Sequence, residues 1–360
     1  MVRRKSILFV TPYPIGEAPS QRFRFEQYFD KLEAHSIEFE VQSFLTTGNW
    51  RVFYSSGKAT LKALALVYGF WRRIVGLFAA WRADYIFIHR EASPIGPPIF
   101  EWIYAKVFRK KIIYDYDDAI WLTDKRRESL LHRLIKSRGK ISSICKWSFR
   151  VSCGNAFLAA YAQQFNSNVI VNPTTIDTER MIPRERSGFH GDNLVIGWTG
   201  SHSTLKYLEQ LERVLQTLER EQSKVSFIVI ADKPPALKLD RLEFVPWNES
   251  TEVADLLKID IGIMPLPDDE WSKGKCGFKI LQYMSLCIPS VSAKVGANTD
   301  IVKHGENGFL CSSEDQWLAY LRQLIHDESL RQQFGIAGRE TVLLRYSVTS
   351  NSSTFLSLFA

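Results

Sequence analysis

A chain of 360 residues has room for two domains of ordinary size, each able to bury a core without disulfides or a structural metal. Lys and Arg number 46 against 39 Asp and Glu, a formal charge of +7, which points to an anionic partner: nucleic acid, a membrane surface or a phosphorylated ligand. No nucleic-acid motif accompanies that charge, so no nucleic-acid partner is expected, and five cysteines without a C-x-x-C pair fit a reducing, cytoplasmic setting better than a disulfide framework or zinc site.

The first residues, MVRRKSILFVTPYP, are basic and then apolar. The apolar run is short and no small-residue cleavage site follows, so 7–14 read as a buried strand entering a Pro-rich turn. SQRFRFEQYFDKL has helical spacing with Ser20 as its N-cap, and IEFEVQSF alternates as a strand. The most apolar stretch, 61–81, is interrupted by Arg72 and Arg73 and is a poor spanning segment. It reads either as a helix packed on a sheet or as a basic amphipathic helix in peripheral contact with an anionic membrane. Strand YIFIH, a loop and helix from PIGPP, and strand KKIIYDY follow, then a polar helical stretch, strand RVSCG, helix AFLAAYAQQF and strand VIVN.

Residues 182–193, IPRERSGFHGDN, read as a linker. A second series begins with strand LVIGWTG and helix 204–220, and continues through SFIVIA, LEFVPW, helix 249–258, DIGIMPL, a lysine-rich loop with its helix, and PSVSA. Alternating strands and helices predict an α/β protein with two doubly wound parallel-sheet domains. Ligands of such domains lie beyond the carboxyl ends of strands, so the polar residues there are the ones to weigh.

In GWTGSHSTLKYL, Gly200 permits a tight turn, and Ser201, His202, Ser203 and Thr204 surround the next helix N-terminus. That is a natural anion site, or simply an N-cap at Ser203. It is not the G-x-G-x-x-G fingerprint, so no nicotinamide cofactor is expected. In SKGKCGFK, Lys273 and Lys275 flank Gly274, and Lys279 begins a helix whose dipole opposes it. A diphosphate between the lysines and the backbone donors would reconcile the two. YDYDDAIW places Asp115, Asp117 and Asp118 after a strand, where clustered carboxylates raise one another's pKa. They would orient a hydroxyl, act as a base, bind a divalent cation, or cap the turn. His89, Arg90 and Glu91 stand in a similar position, and Gly16 with Arg22 and Arg24 could meet phosphate or sugar.

Taken together, NPTTIDTERM, GWTGSHSTLKYL, DIGIMPLPDD, GFKILQYMSLCIPSVSAKVGANTDIVKHGENGFLC and LRQQFGIAGRETVLLRYS resemble the retaining, nucleotide-sugar-dependent glycosyltransferases of the group-one (family 4) type. The resemblance implies a GT-B fold, two Rossmann-like domains facing across a cleft. Residues 1–185 would form the acceptor-side domain, 190–345 the nucleotide-sugar domain, and 346–360 a helix returning toward the first. It implies a nucleoside diphosphate sugar as donor, a glycan or lipid-linked acceptor, and no metal or other cofactor. A place at the inner face of a membrane would suit such an acceptor. Donor contacts would fall to Gly200, Ser201, His202, Lys273, Lys275, Lys279, Ile280 and Gln282, catalysis to Asp117 and Asp118, and the acceptor side to Gly16, Arg22, Arg24, His89 and Arg90. The chain departs from the family where two glutamates with seven residues between them usually stand: it has Gly274 and Gln282. Trp198 and Thr204 lie near the family's usual Arg and Lys, and Asp117 replaces the N-domain His. A non-catalytic nucleotide-sugar or glycan-binding scaffold and a nucleotide-sugar epimerase of similar fold are the alternatives.

Overall fold

The computed structural model describes residues 4–55, 57–123, 136–183 and 193–360. Most of the linker expected at 182–193, and part of the polar helical stretch before Arg150, lie outside that set. The chain divides into two units, Met1–Thr174 with Asn351–Ala360, and Thr175–Ser350.

In the first unit six parallel strands, β1 (Ser6–Thr11), β2 (Glu38–Ser43), β3 (Tyr85–His89), β4 (Lys111–Tyr116), β5 (Arg150–Cys153) and β6 (Val169–Val171), run in the order β2-β1-β3-β4-β5-β6. The apolar runs of β1, β3 and β4 are buried almost throughout because both faces of the central sheet are covered. β2, at the edge, alternates instead. Phe9 is the centre of this core, 4.9 Å from the Phe87 ring and 5.3 Å from that of Phe25. The first helix, Pro19–Arg22, starts on Pro19 with Ala18 before it, so Ser20 is inside the helix and not its cap.

The last ten residues belong to this unit. Val348–Ser357 is helical despite its serines. Its aromatic residues hold it: Phe355 stacks on Tyr28 at 4.3 Å, and the Phe359 ring meets Tyr85 edge-on at 5.8 Å.

The second unit holds β7 (Leu194–Gly200), β8 (Val225–Ala231), β9 (Leu242–Pro246), β10 (Ile261–Met264), β11 (Ser290–Ala293) and β12 (Phe309–Cys311), in the order β12-β11-β10-β7-β8-β9 and all parallel. Residues 175–183 lie with this unit, ahead of the boundary read at 185. Ile176 exchanges backbone hydrogen bonds with the segment Tyr346–Val348, and Arg339 donates to the Met181 carbonyl. The short strand β12 has no counterpart among the sequence-read elements, because its three apolar residues follow directly on the polar, glycine-rich HGENG.

In each sheet the strand order reverses once, between β1 and β3 and between β7 and β10. At such switch points neighbouring connections leave toward opposite faces and open a crevice beyond the strand ends. β7 and β10 pair only through Ile196–Ile261 and Gly197–Gly262 before they part. Tyr283 spans the gap: its hydroxyl accepts from Thr199 N–H at 3.0 Å and lies 3.4 Å from the Ile263 carbonyl. Gly262 makes room for that ring, since a Cβ there would lie 2.4 Å from it.

Candidate functional site

At the second switch point the two loops singled out in the sequence meet. Asp269 caps a helical turn, Glu270–Lys273, by accepting from Ser272 N–H at 2.7 Å. Gly277, at φ +67°, then turns the chain into helix Phe278–Ser285, a backbone conformation that L side chains resist. From the first turn of that helix Lys279 reaches the end of β7, its Nζ 5.2 Å from the centroid of Trp198. A Cβ on Gly200 would lie 2.8 Å from Lys279 Cε, so the glycine is the space the lysine occupies. Lys275 lies over Trp271, Nζ to centroid 4.9 Å. Lys273 points elsewhere: it pairs at the surface with Glu270 at 2.8 Å.

The helix after β7 begins at His202, with Ser201 as its cap in place of Ser203. Ser201 N–H donates to Thr204 Oγ1 at 3.3 Å. His202 N–H donates to Asp232 Oδ1 at 2.6 Å, and His202 Nδ1 lies 2.5 Å from Oδ2 of the same carboxylate. Asp232 follows β8 and fills the position where the sequence placed an external anion at His202. The cationic contribution of Lys279 therefore matters more than this helix end.

Two further residues expected at the donor face inward. Ile280 is fully buried in the core. Gln282 is 2% exposed, and its amide donates to Glu252 Oε1 at 3.2 Å, which also accepts from Trp247 Nε1 at 3.2 Å. This accounts for the neutral residue at 282: a glutamate there would confront a buried carboxylate. Glu252, in WNESTE after β9, was not singled out in the sequence, and only the missing charge at 282 hinted at a carboxylate elsewhere.

In the first unit Arg90 occupies the turn after β3 at φ +60°, a strained conformation for a non-glycine residue and one that clusters at functional sites. Its backbone is held there: Arg90 N–H donates to Asp115 O at 2.7 Å, and the Tyr114 hydroxyl donates to Arg90 O at 2.7 Å. Its guanidinium donates from Nε to Asp117 Oδ1 and from Nη2 to Asp118 Oδ2, both at 2.8 Å. Burial opposes the Arg90 charge, but Asp117 and Asp118 outweigh burial and raise its pKa well above the usual value. The two carboxylates are thus bridged by a cation instead of repelling one another. Beside them stand aromatic rings absent from the sequence reading: Trp50 lies 4.7 Å from Tyr13 and 4.1 Å from Tyr54. Tyr13 and Tyr54 both lie within electrostatic reach of Arg90.

Arg24 and His89, expected on the acceptor side, and Asp115, expected in the carboxylate cluster, all lie in the core instead. The Asp115 carboxylate accepts from Arg24, from Ser152 Oγ at 2.6 Å, and pairs with His89 Nδ1 at 2.8 Å. Burial pushes this carboxyl up, but Arg24 and His89 outweigh burial and hold it below the usual range. Gly16 N–H is engaged by Glu26 Oε2 at 2.9 Å, and Gln21 braces the same loop through both Tyr13 and Glu26. Arg22 is half-buried, its guanidinium 5.1 Å from the Phe23 ring.

With this geometry in view, the comparisons with known proteins are direct. Residues 182–341 match the family described as glycosyl transferases group 1. That stretch is similar to the group 1 glycosyltransferases, and the chain as a whole has the GT-B fold of two Rossmann-like units. It superposes on sucrose-phosphate synthase from Thermosynechococcus elongatus with a TM-score of 0.72 at 12% identity, covering 99% of this chain and 98% of that one. It matches Anabaena HepE in complex with UDP and glucose with a TM-score of 0.67 at 15% identity, covering 99% of each chain. A stretch of 105 residues is 29% identical to N-acetyl-alpha-D-glucosaminyl L-malate synthase of Bacillus anthracis, spanning 29% of this chain and only 26% of that enzyme.

Proposed function

We propose that this protein is a glycosyltransferase that moves a sugar from a UDP-linked donor to a hydroxyl of a glycan or lipid-linked acceptor, with retention at the anomeric carbon. The observation that carries the reading is Lys279 lying against Gly200 at the β7/β10 switch point, a cation placed where the fold admits a ligand. UDP is the favoured nucleotide because HepE, of the same fold, is seen with UDP and glucose. In the reaction the bond from the anomeric carbon to the diphosphate oxygen breaks. The acceptor oxygen bonds on the same face, and its proton passes to the departing phosphate. Lys279, with Lys275, would stabilise the charge that develops on the diphosphate, a role that needs no metal ion. In the first unit Arg90 with Asp117 and Asp118 would orient the acceptor hydroxyl, and Trp50 and Tyr54 offer rings for a sugar face.

Gly274 favours a second reading, a nucleotide-sugar-binding scaffold without turnover, because it presents no side chain where the family usually carries a carboxylate. One experiment separates the two. Thermal shift with nucleoside diphosphates and their sugars reports binding as RT ln(1 + [L]/Kd), about 2.7 kcal/mol at a ligand concentration of 100 Kd. UDP release is then followed over an acceptor panel, with and without EDTA. Stabilisation by UDP together with EDTA-resistant release supports transfer. Stabilisation without release supports the scaffold, and no stabilisation by any nucleotide sinks both.

A further inference from the structure

The outward face of the helical segment Ala59–Val75 and its continuation Leu77–Arg82 is apolar. Leu64, Val67, Trp71, Val75, Phe78 and Trp81 recur at spacings of three and four, and each is between 58% and 66% exposed. A contiguous apolar stripe of this kind on the surface of a folded unit marks an interaction surface. By length and composition the segment could cross a membrane, but its inner face is committed to the sheet. Gly69 sits against the Phe44 ring and Gly76 against the Gln42 side chain, where a Cβ would clash in each case. Between them Arg73 is fully buried and donates to the carbonyls of Thr11 and Gln42 at 2.6 Å and of Ala92 at 2.7 Å. Burial lowers its pKa to about 10, so it remains a cation, pinned by three backbone acceptors. A helix anchored in this way along one side offers only its other side to lipid.

The charge pattern selects the partner. No Asp or Glu occurs between Glu40 and Asp84, while Arg51, Lys58, Lys62, Arg72 and Arg82 do. A second copy of the same face would bring these cations together with no carboxylate to answer them. An anionic surface would be complementary, and tryptophan and tyrosine are the residues that settle at the headgroup boundary. The geometry points to a membrane-docking face: the segment 59–82 lies in the plane of a bilayer rich in anionic lipids, with Trp71, Phe78 and Trp81 at the acyl boundary. Arg73 couples this face to the turn that carries Arg90, through the Ala92 carbonyl. Docking would therefore hold the candidate acceptor loop at the lipid surface, although binding itself does not depend on the transferase reading.

The test is co-flotation of the full chain with vesicles of phosphatidylcholine alone and of an equimolar mixture of phosphatidylcholine and phosphatidylglycerol. Binding is expected to the mixture, to weaken as salt is raised, and to fall roughly tenfold or more in a Val67→Glu/Trp71→Glu variant. Far-UV circular dichroism and the melting temperature of the variant report whether it folds. If it does not, quenching of wild-type tryptophan fluorescence by brominated lipid takes its place, with quenching expected only in the anionic mixture. Failure of the wild type to float with either vesicle overturns the proposal. So does binding that ignores the substitutions, or a lipid-free dimer that the same substitutions dissolve, which would assign the face to a second copy.

Discussion

Gly200 and Lys279 are 79 positions apart in sequence and share one space in the fold: a methyl group on Gly200 would lie 2.8 Å from Lys279 Cε and 2.4 Å from the Trp198 ring. Trp198 is 2% exposed and cannot yield. The absence of a side chain at 200 is what lets the lysine cross the mouth of the switch point.

Gly200→Ala is expected to cost about 1–3 kcal/mol of stability, from overpacking against Trp198, and to weaken UDP binding as Lys279 is displaced. Lys279→Ala should leave the denaturation midpoint nearly unchanged while raising the UDP dissociation constant about tenfold, some 1.4 kcal/mol. Lys273→Ala serves as the control, since Lys273 is occupied by Glu270 at the surface. Calorimetric titration with UDP and urea denaturation read both quantities. Unchanged UDP affinity in the Lys279 variant removes the lysine from the donor site.

Arg90 joins two carboxylates through different nitrogens of one planar group, a geometry that lysine cannot reproduce. Arg90→Lys should therefore reduce transfer nearly as much as Arg90→Ala, with UDP affinity intact in both. The alanine variant should also lose about 1–3 kcal/mol because Asp117 and Asp118 are left unpaired. Steady-state kinetics together with UDP titration separates the acceptor effect from the donor effect.

Gln282 and Glu252 form a coupled pair within the core. Gln282→Glu, which restores the carboxylate usual in the family, should destabilise this chain by about 1–3 kcal/mol at neutral pH by placing two carboxylates together. Adding Glu252→Gln should recover most of that loss, and a double-mutant cycle by urea denaturation measures the coupling.

Asp115 makes stability depend on acid in a definite direction. Its folded pKa is depressed, with Arg24 and His89 outweighing burial. Its contribution is full above the unfolded value of about 4 and is lost as pH falls below that toward the folded value. Asp115→Asn should cost about 3–5 kcal/mol at pH 7, since Arg24 is left buried without its counter-charge. The gap between variant and wild type should narrow below pH 4, again by urea denaturation. A gap that stays constant with pH would show that the carboxylate carries no charge-dependent stability.

Much of the architecture was legible along the chain. Buried parallel strands announce themselves as short continuous apolar runs such as ILFV, YIFIH and SFIVIA, because both of their faces are covered. Polar residues at the ends of those runs marked Arg90, Asp117 and Asp118, which follow β3 and β4, while Gly200 ends β7 and Lys279 stands in the first turn of helix Phe278–Ser285. β12 and the cap at Ser201 escaped, since three apolar residues after HGENG, or one serine among several in SHST, carry too little local signal.

By itself the sequence determined the alternation of strands and helices, the two parallel sheets and the positions where loops bear charge, because periodicity and turn chemistry are local properties. Which charges are used inside the protein was decided only by tertiary contact. Asp232 takes the His202 N–H, Glu252 takes Gln282, and Asp115 takes Arg24 and His89. Each of these pairs joins residues at least 26 positions apart, so no window along the chain could show them. The same holds for the stripe at 59–82, which the sequence showed only as an apolar stretch at 61–81 interrupted by Arg72 and Arg73. Only the burial of Arg73 beneath it determined which side of the helix remained open.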